Sequence, residues 1–126
     1  MQEIEFRAKG LLKDRWYYGF FVKGESPLNN FIINMNEQVM DKGHLIDEDT
    51  LGQYTGRKDK NDKKIFDGDI ICFNDKNLPL IVQWYEYKWV LTEPIDNRTK
   101  IDFMDNLAKE CEIIGNIYDN LELLGV

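Results

Sequence analysis

Asp67-Gly68-Asp69 sets two carboxylates two positions apart around a glycine. Such a pair can chelate a hard cation, but a calcium-like ion takes roughly six to eight oxygens, more than this pair supplies. The competing reading is architectural. Gly68 turns the chain tightly while Asp67 and Asp69 bond to neighbouring backbone. That reading is preferred. A second chemical constellation is Arg57, Lys58, Lys60, Lys63 and Lys64, set against Asp59 and Asp62, for a local charge of +3. A basic hairpin can grip phosphates, or its lysines can blunt an exposed sheet edge. The two aspartates dilute the field, which favours the second role. A third is the aromatic run Trp84, Tyr85, Tyr87 and Trp89. Strict alternation puts Tyr85, Tyr87 and Trp89 on one face and Trp84 on the other. Core packing with cross-strand pairs is preferred over a platform for a partner chain or an unstacked base.

Other catalytic chemistry finds little support. His44 is the lone histidine and sits beside a glycine turn, where a surface position is expected. Cys72 and Cys111 lie far apart in sequence and read as two buried thiols rather than a disulfide. With no Cys/His cluster, a zinc site has no basis. The glycine-rich signatures of hydrolases, P-loops and dinucleotide folds do not occur. Ser26 and several threonines exist as nucleophile types, but no base stands near them in sequence. No catalytic group, metal or cofactor is therefore expected.

The elements that would hold these residues are mostly strands. Residues 2–8 alternate, with Ile4, Phe6 and Ala8 on one face. Arg15 to Lys23 is an aromatic strand interrupted by Gly19. Gly24 to Pro27 and Asp41 to Gly43 are turns, Phe31 to Val39 holds one or two short strands, and Asp47 to Asp49 is a solvated acidic connection. Lys58 to Asp62 forms a hairpin tip with little to bury. Ile70 to Phe73, Leu80 to Tyr85 and Tyr87 to Thr92 follow as strands, the last two linked at Glu86. A helical period runs from Thr99 to Glu110, where Ile101, Met104, Leu107 and Ala108 share a face. Cys111 to Tyr118 returns to strand, and Asp119 to Leu124 closes in a turn or short helix. Strands at this spacing predict a mainly β fold, a small barrel-like domain with one or two short helices, SH3-like over 64–118.

The chain has 126 residues, suited to one domain spanning 1–126. Its 43% hydrophobic content and 16 aromatics argue for a packed core rather than disorder. The net charge is −7, distributed as −3 over residues 1–50, +1 over 51–100 and −5 over 101–126. An acidic chain repels phosphate, so nucleic acid is disfavoured as a partner. The N-terminus lacks a signal-peptide pattern, and no apolar run approaches the ~20 residues of a membrane span. A cytoplasmic location is expected.

Leu51 to Phe73, LGQYTGRKDKNDKKIFDGDIICF, resembles the YopX family of phage and prophage proteins. The likeness lies in Gln53-Tyr54-Thr55-Gly56, Lys58-Asp59, and an aromatic followed by Asp67-Gly68-Asp69-Ile70. A second block, Ile113 to Leu124 with Gly115, Asn116 and Tyr118, is similar to that family's C-terminal signature, and Glu3 to Arg7 to its start. Asn61-Asp62 stands where the family shows Asn-Gly, and Leu121 where a proline is common. The resemblance implies a mainly β, phage-borne protein of the host cytoplasm, and it carries over no catalytic or ligand residue. The function expected is a non-enzymatic protein-binding or assembly module. Its partners would be a second copy of itself and a phage or host protein. The alternative is a nucleic-acid-associated regulator using the 57–64 hairpin.

Overall fold

The computed structural model describes residues 4–26, 28–33, 43–103 and 105–125. They form eleven strands, one short helix and two 3-10 turns, in antiparallel sheets of six and five strands. The mainly β expectation is met. Two compact units divide the chain, Met1–Tyr54 and Thr55–Val126.

In the first unit, β1 (Phe6–Lys9) pairs with β2 (Trp16–Val22), β2 with β3 (Phe31–Ile33), and β3 with β4 (His44–Leu45). The start of β5 (Gly52–Lys58) pairs with the other side of β1. Ala8, Ile32 and Ile46 make the core, with Phe6, Tyr17, Phe21 and Leu51 packed around it. Alternation in β1 is only half right. Ala8 is buried, but Ile4 lies before the strand and is 59% exposed. Arg7 is buried, with its guanidinium 4.7 Å from the centre of the Trp16 ring. Favourable cation–π contact compensates part of the cost of burying that charge. His44 is half-buried and stacks on Tyr17 at 4.2 Å, rather than lying open on the surface. Residues 47–49 are not a loose connection. Asp47 accepts from the Asp49 N–H and caps a 3-10 turn over Glu48–Thr50. Buried Asn30 joins this turn to the 24–26 bend, accepting from the Gly24 N–H and donating to Glu48. The expected strand residues 34–39 and the turn at 41–42 lie outside the described residues.

In the second unit, the later part of β5 neighbours β6 (Lys64–Phe66). β7 (Asp69–Cys72), β8 (Leu80–Tyr85), β9 (Lys88–Thr92) and β10 (Lys100–Asp102) form a meander. β11 (Glu112–Asn116) returns to pair with β7, giving the order β10-β9-β8-β7-β11. Ile65, Ile71, Val82, Leu91, Phe103, Ala108 and Cys111 form the core. Both cysteines are buried and free, as expected.

The helix expected over 99–110 is cut to α1 (Asp105–Ala108). Its first part is β10, paired residue by residue with Thr92, Leu91 and Val90 of β9. A strand puts Ile101 and Phe103 on one face, whereas in a helix they would diverge by about 200°. Phe103 is the buried residue of the pair, and Ile101 is 47% exposed. Among the described residues no helix is long and apolar enough to cross a membrane.

Candidate functional site

The signature residues turn out to be consumed by the architecture. Gln53 is exposed opposite Phe6, while Tyr54 is buried and donates its N–H to the Glu5 carbonyl. Thr55 is fully buried, and its hydroxyl donates to the Ile65 carbonyl at 2.8 Å while accepting from the Arg57 N–H. Gly56 has φ +82°, a conformation that favours glycine. Buried Asp69 accepts from the Phe66 N–H at 2.7 Å, closing the turn through Asp67 and Gly68. Gly68 has φ +91°, and a side chain there would press on the Tyr118 ring. At the other block, a Cβ on Gly115 would collide with the Asn120 amide at 2.6 Å. Asn116 accepts from the N–H groups of Tyr118 and Asp119. The Asp-Gly-Asp segment is a hydrogen-bonded turn. Among the described residues no group of three or more His, Cys, Asp or Glu is placed to hold a metal ion.

The basic hairpin is largely neutralised by its own neighbours. Arg57 Nε lies 2.9 Å from Asp105, its Nη1 donates to the Thr55 carbonyl, and its guanidinium lies over Phe103. Lys58 pairs with Asp62 at 3.8 Å and Lys60 with Glu112 at 3.7 Å. Such exposed pairs add little stability, but they lower the potential a phosphate would meet. Lys64 is half-buried within β6. Asp59, expected at a tip with little to bury, is itself buried. One carboxylate oxygen accepts from the N–H groups of Asn61 and Lys63, and the other from Ile113 of β11. Lys63 thus enters the hairpin's structure through its backbone. The tip places Asp62 at φ +64°, at the position where glycine would be easier.

The aromatic hairpin is arranged differently from strict alternation. Tyr87 is not a strand residue. With Glu86 it forms a two-residue turn, at φ +49° and +67°, the signature of a type I′ hairpin. Trp84 and Trp89 are therefore directly opposite, on one face, with rings 5.1 Å apart and nearly perpendicular. Tyr85 faces Lys88 across the pair. Trp84 is 54%, Tyr85 45% and Tyr87 93% exposed, and Trp89 packs on the core. Beside them runs β10, an open edge of the five-stranded sheet. Lys100 lies over the Tyr85 ring and Asp102 pairs with Lys88 at 2.8 Å. Hydrogen bonding to this Asp102 carboxylate raises the Lys88 ammonium pKa.

At the other end of the same sheet, the loops after β7 and β9 and the 3-10 turn Leu121–Leu124 line an apolar cavity of about 590 Å³ that is half open to solvent. Sequence reading passed over it. The available signal was an isolated aliphatic beside a proline in each of two polar loops, Leu78-Pro79 and Pro94-Ile95.

Fold and site together define a mainly antiparallel-β protein whose polar signature residues serve the architecture and whose five-stranded sheet carries exposed aromatic side chains at one end and exposed aliphatic ones at the other. The family model described as YopX protein matches residues 5–125. The chain belongs to the YopX family. No curated protein matches it. Among solved structures it is similar to protein EF1440 from Enterococcus faecalis, at 18% identity and a TM-score of 0.64, covering 98% of this chain and 99% of that one. At that identity the likeness speaks for the fold.

Proposed function

We propose that this is a non-enzymatic phage or prophage protein that works in the host cytoplasm as a self-associating protein-binding module. The observation that carries the reading is an exposed aromatic hairpin beside a sheet edge that is complementary to itself. Thr99 accepts from Glu93, and Phe103 donates to Trp89, across the β9–β10 pair. Backbone groups alternate along a strand, so those of Lys100 and Asp102 turn outward. Antiparallel pairing with a second copy about Ile101 sets Lys100 opposite the copy's Asp102. Four backbone hydrogen bonds and two opposite-charge pairs then form around an apolar centre. Trp84 and Tyr85 supply the aromatic area that such contacts use for affinity. The non-enzymatic part is supported by Asp69, Thr55 and Asn116, whose polar atoms are engaged by backbone.

Light scattering across a concentration series tests the assembly. The mass should approach twice that of the monomer as concentration rises. Ile101→Lys, which sets like charges face to face at the two-fold, should stay monomeric with an unchanged melting temperature. A wild-type mass that remains monomeric at the highest concentration would overturn the reading.

A further inference from the structure

The cavity at the loop end of the second unit has the size of a ligand site, and its construction argues for a specific occupant. Phe73 and Leu80, both packed on the core, and buried Leu124 give it an apolar lining. Two aliphatic side chains stand at its lip in otherwise polar loops, Leu78 at 67% and Ile95 at 89% exposure. Leaving them in water is unfavourable relative to burying them against an apolar partner. Nothing in the turns requires an apolar side chain there.

The lip is also pre-ordered. Pro79 and Pro94 adjoin the two aliphatics and restrict the loops before any ligand arrives. Each loop is further clamped by its own carboxylate. Asp75 accepts from the Asn77 N–H at 2.9 Å, and Glu93 accepts from the N–H groups of Ile95 and Asp96 at 3.0 and 2.7 Å. These bonds leave each carboxylate its charge and further acceptor capacity. Among the described residues that line the cavity, Asp75 and Glu93 are the charged ones, and exposed Lys76 stands between Asp75 and Asn77 outside the lining.

We propose that this cavity is a docking site for a short peptide segment of a partner protein, carrying bulky aliphatic or aromatic side chains flanked by lysine or arginine. The cavity takes one apolar side chain, Leu78 and Ile95 cover its neighbour, and the two carboxylates meet the flanking cations. Fatty acids, anionic lipids and nucleic acids bring the wrong charge to this rim. The Glu93 N–H of the lip donates to the Thr99 carbonyl, beside the start of β10, but no lining residue belongs to that strand, and the proposal does not depend on self-association.

A set of synthetic nonapeptides tests it by amide chemical-shift titration of the full chain. One carries two leucines flanked by lysines, one has the lysines replaced by glutamates, and one has the leucines replaced by serines. The lysine-flanked peptide should bind at least tenfold more tightly than either relative, with shifts concentrated over residues 73–80, 93–95 and 123–125. Asp75→Asn with Glu93→Gln keeps an acceptor oxygen in each loop and should erase the preference for lysine over glutamate. Ile95→Ser, at an exposed position, should weaken binding of the lysine-flanked peptide about tenfold without changing the melting temperature. Repeating the titration in the Ile101→Lys chain separates this site from assembly, and the same affinity is expected there. Equal binding of lysine- and glutamate-flanked peptides, shifts centred elsewhere, or no binding at millimolar peptide would overturn the proposal.

Discussion

Position 59 carries a carboxylate that looks in sequence like one more charge on a polar tip. It is instead a three-way acceptor, holding the tip through Asn61 and Lys63 and reaching Ile113 of β11. The hairpin is further tied by the Lys60 N–H, which donates to the Cys111 carbonyl. Burial pushes the Cys111 thiol up to about 12, with the Asp59 carboxylate adding to the effect, so the thiol stays protonated and inert at neutral pH. Asp59→Ala strands three N–H groups and should cost about 3 kcal/mol in urea unfolding, given the strength of hydrogen bonds to charged acceptors. Lys63→Ala, which removes an exposed side chain and keeps the backbone bond, should cost less than about 0.5 kcal/mol. Equal losses for the two variants would show that Asp59 acts only as a surface charge.

The β8–β9 hairpin shows how an element can keep its place while its faces are misread. Strand, turn and strand lie where alternation and turn signals put them, but the turn takes two residues, Glu86 and Tyr87. That register brings Trp84 onto the face of Trp89 and sends Tyr87 out of the sheet. Type I′ turns prefer Asn-Gly, and a bulky side chain at positive φ is strained. Replacing Glu86-Tyr87 by Asn-Gly should therefore stabilise the fold by about 1 kcal/mol. If Tyr87 serves the assembly, the same change should weaken self-association in light scattering. Greater stability with unchanged association would remove Tyr87 from the interface, and lower stability would contradict the turn assignment.

Across the whole molecule, the −7 charge and the pairing of Arg57, Lys58 and Lys60 with local carboxylates argue against phosphate recognition. A grip on nucleic acid by this hairpin would work through counterion release and would weaken steeply with salt. Anisotropy titration against single- and double-stranded DNA and RNA should show no binding even in dilute buffer. Micromolar binding that disappears in a Lys60→Glu, Lys63→Glu variant would promote the regulator reading over the assembly module.

The mainly β class, the turn at Asp67-Gly68, the buried thiols and the family are legible in the sequence, because these rest on local chemistry: residue type, spacing and turn preference. The blocks at 51–73 and 113–124 are legible in part for the same reason, since Asp69, Gly115 and Asn116 act on near neighbours in the chain, whereas Gly68 makes room for Tyr118, 50 positions away. Tertiary structure alone decided the rest. Residues 100–102 match a helical period, yet they pair with β9, whose outer backbone groups had to be satisfied. Asp59 becomes buried only because β11, 54 positions away, delivers the Ile113 N–H to it. The cavity combines loops after two different strands with a turn near the C-terminal end. No window of sequence contains all three, so its apolar lining and acidic lip become visible only when the sheet brings those loops together.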